Sequence, residues 1–141
     1  MIEGLLDSRE PERIEMYSET LLDHFQNPRN VGTLDPPAVM VEVSNPICGD
    51  ILQLFALPAE GRIREVRYKT RGCTATIAAG SALTEMVRDK TLDELSALKA
   101  DDVEQAVGGL ANESKHAAVL AMDGIRALLQ RIREVQERSA G

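Results

Sequence analysis

The chain has 141 residues, a formal net charge of −7 and 43% hydrophobic residues, which is room for one domain with a real core. The acidity speaks against nucleic-acid binding, which needs a clustered basic face. No apolar run approaches the ~20 residues of a membrane span, and Met1-Ile2-Glu3-Gly4 lacks the basic-then-apolar pattern of a secretory leader, so a cytoplasmic location is expected.

Residues 1–15 are polar, mixed in charge and interrupted by Pro11, which predicts a flexible tail ahead of a single domain over 16–138. From Met16 to Phe25, the apolar residues Tyr17, Leu21, Leu22 and Phe25 recur at helical spacing. Asn27-Pro28-Arg29-Asn30 ends that helix, because the residue before proline avoids the helical region. Val31-Gly32 and Asp35-Pro36-Pro37 read as loop.

Three period-2 runs follow: Val39, Val41 and Val43; Leu52, Leu54 and Ala56; then Val66, Tyr68 and Thr70 after a turn at Pro58–Gly61. Their short connections predict an antiparallel meander with one face solvated. Helices take over at Thr74–Arg88, whose early residues are small enough for close approach to the sheet. Thr91 with Glu94 forms a capping box for a short helix, and Asp101–Val107 forms another, stopped by Gly108-Gly109. The last helix is expected from Glu113 to about Glu137, with Ala118, Ala121, Met122, Ile125, Leu129, Ile132 and Val135 as its apolar stripe. Strands first and helices after give an α+β fold: a three-stranded antiparallel sheet, helices packed on one face and a long C-terminal helix.

The chemistry concentrates around the two cysteines. Cys48 sits in Asn45-Pro46-Ile47-Cys48-Gly49-Asp50 and Cys73 in Arg71-Gly72-Cys73-Thr74, each at a strand end beside glycine. A helix beginning next to Cys73 favours negative charge there, since its first amides are unpaired. His116, within Lys115-His116-Ala117, opens the last helix. If these places converge, two thiolates, one imidazole and the Asp50 carboxylate form a reasonable tetrahedral set for zinc. Iron–sulfur clusters prefer four thiolates, although histidine can replace cysteine. Spacing alone leaves inert thiols and an unligating His116 as open alternatives. His24 reads as structural or surface, Tyr17 and Tyr68 as packing residues. Arg67, Lys69 and Arg71 read as a solvated strand face, with docking of an acidic partner as the alternative. No nucleophile–base–acid arrangement exists beyond this cluster and no phosphate loop, so an enzyme is not expected.

Taken together, the motifs resemble one family. Met16-Tyr17-Ser18-Glu19, Leu22-Asp23-His24-Phe25-Gln26-Asn27-Pro28-Arg29-Asn30-Val31-Gly32, Pro46-Ile47-Cys48-Gly49-Asp50, Lys69-Thr70-Arg71-Gly72-Cys73, Ala78–Glu85, Lys115-His116-Ala117 and Leu120-Ala121-Met122-Asp123 are similar, in order and spacing, to the IscU / NifU-N-terminal family of iron–sulfur cluster assembly scaffolds. The resemblance spans roughly residues 16 to 132. It implies an α+β fold and a site holding a transient [2Fe–2S] cluster, iron or zinc. By position, Cys48 and Cys73 match the first two cysteines, Asp50 the aspartate and His116 the histidine. It also implies a cysteine desulfurase and apo iron–sulfur acceptor proteins as partners.

Two positions depart from the family. The third cysteine falls on Ala117, whose methyl can neither ligate metal nor receive sulfur. Members that use a dedicated chaperone carry Leu-Pro-Pro-Val-Lys where this chain reads Leu110-Ala111-Asn112-Glu113-Ser114, so the sequence does not support that chaperone as a partner. The expected function is a cluster assembly scaffold. The alternative is a degenerate zinc-binding paralogue that interacts with a desulfurase and modulates sulfur transfer without assembling clusters. An introduced cysteine-to-alanine replacement at 117 would read the same way.

Overall fold

A computed structural model describes residues 17–47 and 49–140 of the chain. The expected tail over 1–15, Met16 and Cys48 lie outside the described residues. Among those residues the elements are α1 (Glu19–Gln26), β1 (Val39–Ser44), β2 (Ile51–Ala59), β3 (Arg62–Arg71), α2 (Thr74–Val87), α3 (Leu92–Ser96), α4 (Ala100–Ala106) and α5 (His116–Ala140). The strands pair antiparallel in the order β1-β2-β3, as the meander pattern required.

Alternation settles which side of the sheet is buried. Val39, Ala56 and Val66 lie across from one another on one face, as do Leu54 and Tyr68, and all are buried. Met40, Gln53, Arg67 and Lys69 point the other way, where no helix among the described residues packs. α2 covers β3, and α5 lies across β1 and β2 on the same side. The described helices therefore occupy one face, as expected.

Strand ends differ from the expectation at the β2–β3 hairpin. The strands run on to Ala59 and restart at Arg62, leaving only Glu60-Gly61 as the turn, both at positive φ (57° and 80°). Two left-handed residues match the twist of a tight hairpin. Pro58 is tolerated inside β2 because it sits at a register shift, where a ladder donor is not needed. Val31, read as loop, bridges Tyr68 on the free side of β3, with the Gly32 amide donating to the Tyr68 carbonyl at 2.9 Å.

α1 begins at Glu19 and not Met16, because Ser18 caps it by accepting from the Leu21 amide at 2.9 Å. The Ser18 hydroxyl also donates to the Val107 carbonyl, which ties α1 to the end of α4. α2 is buried almost all round: Ala75, Ala78, Ala79, Gly80, Ser81 and Ala82 separate the sheet from α1. Such small residues let a helix approach closely. The Tyr68 ring lies against Gly80, and its hydroxyl donates to the Ile77 carbonyl at 2.8 Å. Burial pushes the Tyr68 phenol up to about 12, so it stays a neutral donor. The last helix starts at His116, three residues later than expected, after a 3-10 turn over Asn112–Ser114.

Candidate metal centre

Three elements end at one corner of the sheet. Ile51 pairs with Arg71, so the residues just beyond them, Asp50 and Gly72, come side by side. Cys73 follows as the N-cap of α2, with no side-chain capping bond of its own. The start of α5 brings His116 to the same corner. Gly72 has no Cβ, and the Asp50 carboxylate occupies the space that one would need.

Asp50, Cys73 and His116 present ligand atoms that all lie within 4.8 Å of one another. Cys73 Sγ is 3.5 Å from His116 Nε2 and 3.8 Å from Asp50 Oδ2, and His116 Nε2 is 3.5 Å from the same oxygen. One tetrahedral zinc at ordinary bond lengths requires roughly 3.3–3.6 Å between such S, N and O donors. The two separations from His116 Nε2 fall in that range and the Cys73–Asp50 one is slightly wider, so a small closing of the carboxylate on the sulfur would bring the three atoms to one ion. Asp50 is buried, His116 half-buried and Cys73 exposed, so the site opens to solvent on the sulfur side.

The geometry also differs from an ordered three-residue relay. In a relay, the base uses one ring nitrogen for the nucleophile and the other for the orienting acid. Here Cys73 and Asp50 both approach Nε2 of His116. Convergence on one nitrogen suits donors around a centre.

One contributor escaped the sequence reading. Thr76 is 2% exposed, and its hydroxyl donates to Asp50 Oδ2 at 2.5 Å while lying 3.4 Å from Cys73 Sγ. Its place one turn after Cys73 was a usable signal. Of the other positions singled out, Lys115 pairs with Glu104 of α4 at 2.8 Å. Ala117 is 1% exposed and belongs to the core cluster. Position 48 lies outside the described residues. His24 is structural: it is 5% exposed and its Nδ1 lies 2.8 Å from Ser81 Oγ on α2.

A concavity of about 540 Å³ lies at the opposite end of the sheet, between Val39, Pro58, Ile132 and Val135. No helix among the described residues is long and apolar enough to cross a membrane.

A model of the NifU-like N-terminal domain matches residues 16–138. The chain belongs to this family. The NifU-like domain is 40% identical over 111 residues to "Iron-sulfur cluster assembly scaffold protein IscU 1" of Archaeoglobus fulgidus, covering 79% of this chain and 72% of that one. It is also 40% identical over 117 residues to the scaffold protein IscU of Escherichia coli K12, covering 80% and 91%. Its fold matches the crystal structure of a NifU-like protein (N-terminal) from Brucella abortus with a TM-score of 0.70 at 18% identity, over 85% of this chain and 96% of that one.

Proposed function

We propose that this NifU-like domain is an iron–sulfur cluster assembly scaffold. Its cargo is iron, zinc or a nascent [2Fe–2S] cluster, held by Asp50, Cys73 and His116 with Cys48 as the fourth donor. The observation that carries this reading is the convergence of a sulfur, a nitrogen and an oxygen at separations suited to a single metal. The names of the 40%-identical relatives point the same way.

Donor count supports the reading despite Ala117. A [2Fe–2S] unit leaves four terminal positions for protein ligands, which may mix cysteine with histidine. Cys48, Asp50, Cys73 and His116 supply four without a third thiol. Asp50 is the donor that a soft centre holds least firmly, because a carboxylate oxygen is harder than a thiolate. A site with one weak ligand and an exposed sulfur suits a protein that passes its cargo on. The proposed partners are a cysteine desulfurase as sulfur source and apo iron–sulfur proteins as recipients, in the cytoplasm, with no catalytic turnover by the scaffold itself. Sulfur delivered as persulfide needs two electrons before it bridges iron as sulfide, so an electron donor is also implied.

The test is anaerobic reconstitution of the full chain with ferrous iron, cysteine, a desulfurase and a thiol reductant. A scaffold retains iron and acid-labile sulfide in equal amounts and shows visible charge-transfer absorption. Retention of zinc with no labile sulfide would replace this reading by the modulator of sulfur transfer, for which the buried methyl at Ala117 is the favouring observation.

A further inference from the structure

Threonine in the first turn of a helix ordinarily bonds its own backbone or faces water. Thr76 does neither. It is 2% exposed, and its hydroxyl reaches across to a residue 26 positions earlier in the chain. A hydroxyl has one proton and an ionised carboxylate only accepts, so the 2.5 Å contact spends the Thr76 proton on Asp50 Oδ2. That oxygen is the one lying 3.5 Å from His116 Nε2 and 3.8 Å from Cys73 Sγ.

We propose that Thr76 is a positioning residue: its hydroxyl fixes the rotation of the Asp50 carboxylate so that Oδ2 faces Cys73 and His116 as a ready-made metal donor. The inference rests on the metal-site reading above. Two features of the corner fit it. A two-atom carboxylate can turn about its Cβ–Cγ bond, and Gly72 leaves the Asp50 side of the corner without a side chain to stop that rotation. A single donor on one oxygen removes the freedom. The bond also satisfies one lone pair of Oδ2 and leaves another for the metal, as hydrogen-bonded carboxylate ligands commonly are. With its proton committed to Asp50, the Thr76 oxygen, 3.4 Å from Cys73 Sγ, can only accept, and only from the Cys73 thiol in its protonated form.

Two measurements on the full chain test the proposal. In the metal-free protein, the Thr76 hydroxyl proton is expected as a slowly exchanging NMR resonance that disappears in Asp50→Ala. Its absence from the unaltered protein overturns the proposal, whatever metal does. In titrations with cobalt(II), Thr76→Val is expected to weaken binding by about 10-fold or more and to change the ligand-field bands, as loss of a bond behind a ligand does. Thr76→Ser, which keeps the hydroxyl, is expected to restore both. Equal binding by the valine variant, or no rescue by serine, overturns the proposal. If the unaltered chain binds no cobalt(II), the scaffold reading fails, and the carboxylate clamp is judged by the hydroxyl resonance alone.

Discussion

Gly72 and Asp50 share one volume: a Cβ on Gly72 would stand 2.8 Å from Cγ of Asp50 and 2.9 Å from its Oδ2. The backbone at Gly72 is not left-handed, so glycine is required there by the neighbouring carboxylate and not by φ. Gly72→Ala is expected to push the carboxylate out of line with Cys73 and His116. Metal affinity should fall roughly 10- to 100-fold, the usual effect of disturbing what supports a ligand. Zinc competition titrations check this, and unchanged affinity would show that Asp50 is not a ligand.

Ala117 follows His116 directly, yet its side chain is in the core with Ala118, Ala121 and Leu120. A thiol there adds volume to a packed interior. Ala117→Cys is expected to cost about 1–3 kcal/mol, as overpacking does, and to leave iron and sulfide content after reconstitution unchanged. A rise in both would mean that the missing thiol limits the site.

Gly80 holds the Tyr68 ring at a distance no side chain allows, since a Cβ would lie 2.5 Å from Tyr68 Cε2. Both partners are on regular elements, so the strain cannot relax by loop movement. Gly80→Ala is expected to destabilise the fold by about 1–3 kcal/mol, read as a lowered urea midpoint with unchanged slope.

His24 carries a pH dependence. Burial, and next the Arg29 guanidinium, hold it below the 6.5 of a free imidazole, against the opposing pull of Glu85 and Asp23. Arg29 can only donate, and its NH1 lies 3.2 Å from Nδ1, so Nδ1 is the acceptor and the proton sits on Nε2. Taking up a second proton would break that arrangement. The unfolded chain binds its proton near 6.5 and the folded chain only at lower pH. Stability is therefore complete above 6.5 and declines as pH falls through the window below it. Urea midpoints from neutral to mildly acidic pH should fall less steeply for His24→Gln than for the unaltered chain. Parallel curves would remove His24 from this role.

Much of this was legible beforehand. The alternation of Val39 to Val43, Leu52 to Ala56 and Val66 to Thr70 prescribed three strands with one buried face, because side chains alternate across a strand. Thr91 and Glu94 announced their capping box, which the structure contains. Asp50, Cys73 and His116 were named from the chain because sulfur, imidazole and carboxylate are the groups that bind metals. The hairpin ends differ from the sequence expectation at Pro58, since proline reads as a turn unless the register shift that accommodates it is known.

What the sequence by itself determined was the element order, the buried face and the candidate donor residues, all of which follow from local pattern and side-chain chemistry. Only the tertiary structure decided that Cys73 and Asp50 meet at the same nitrogen of His116, that Thr76 holds the shared carboxylate oxygen, and that Gly72 leaves room for it. Those relationships join residues 23, 26 and 43 positions apart. Their distances depend on strand register and helix placement, which the packing of the whole core sets and no local pattern encodes.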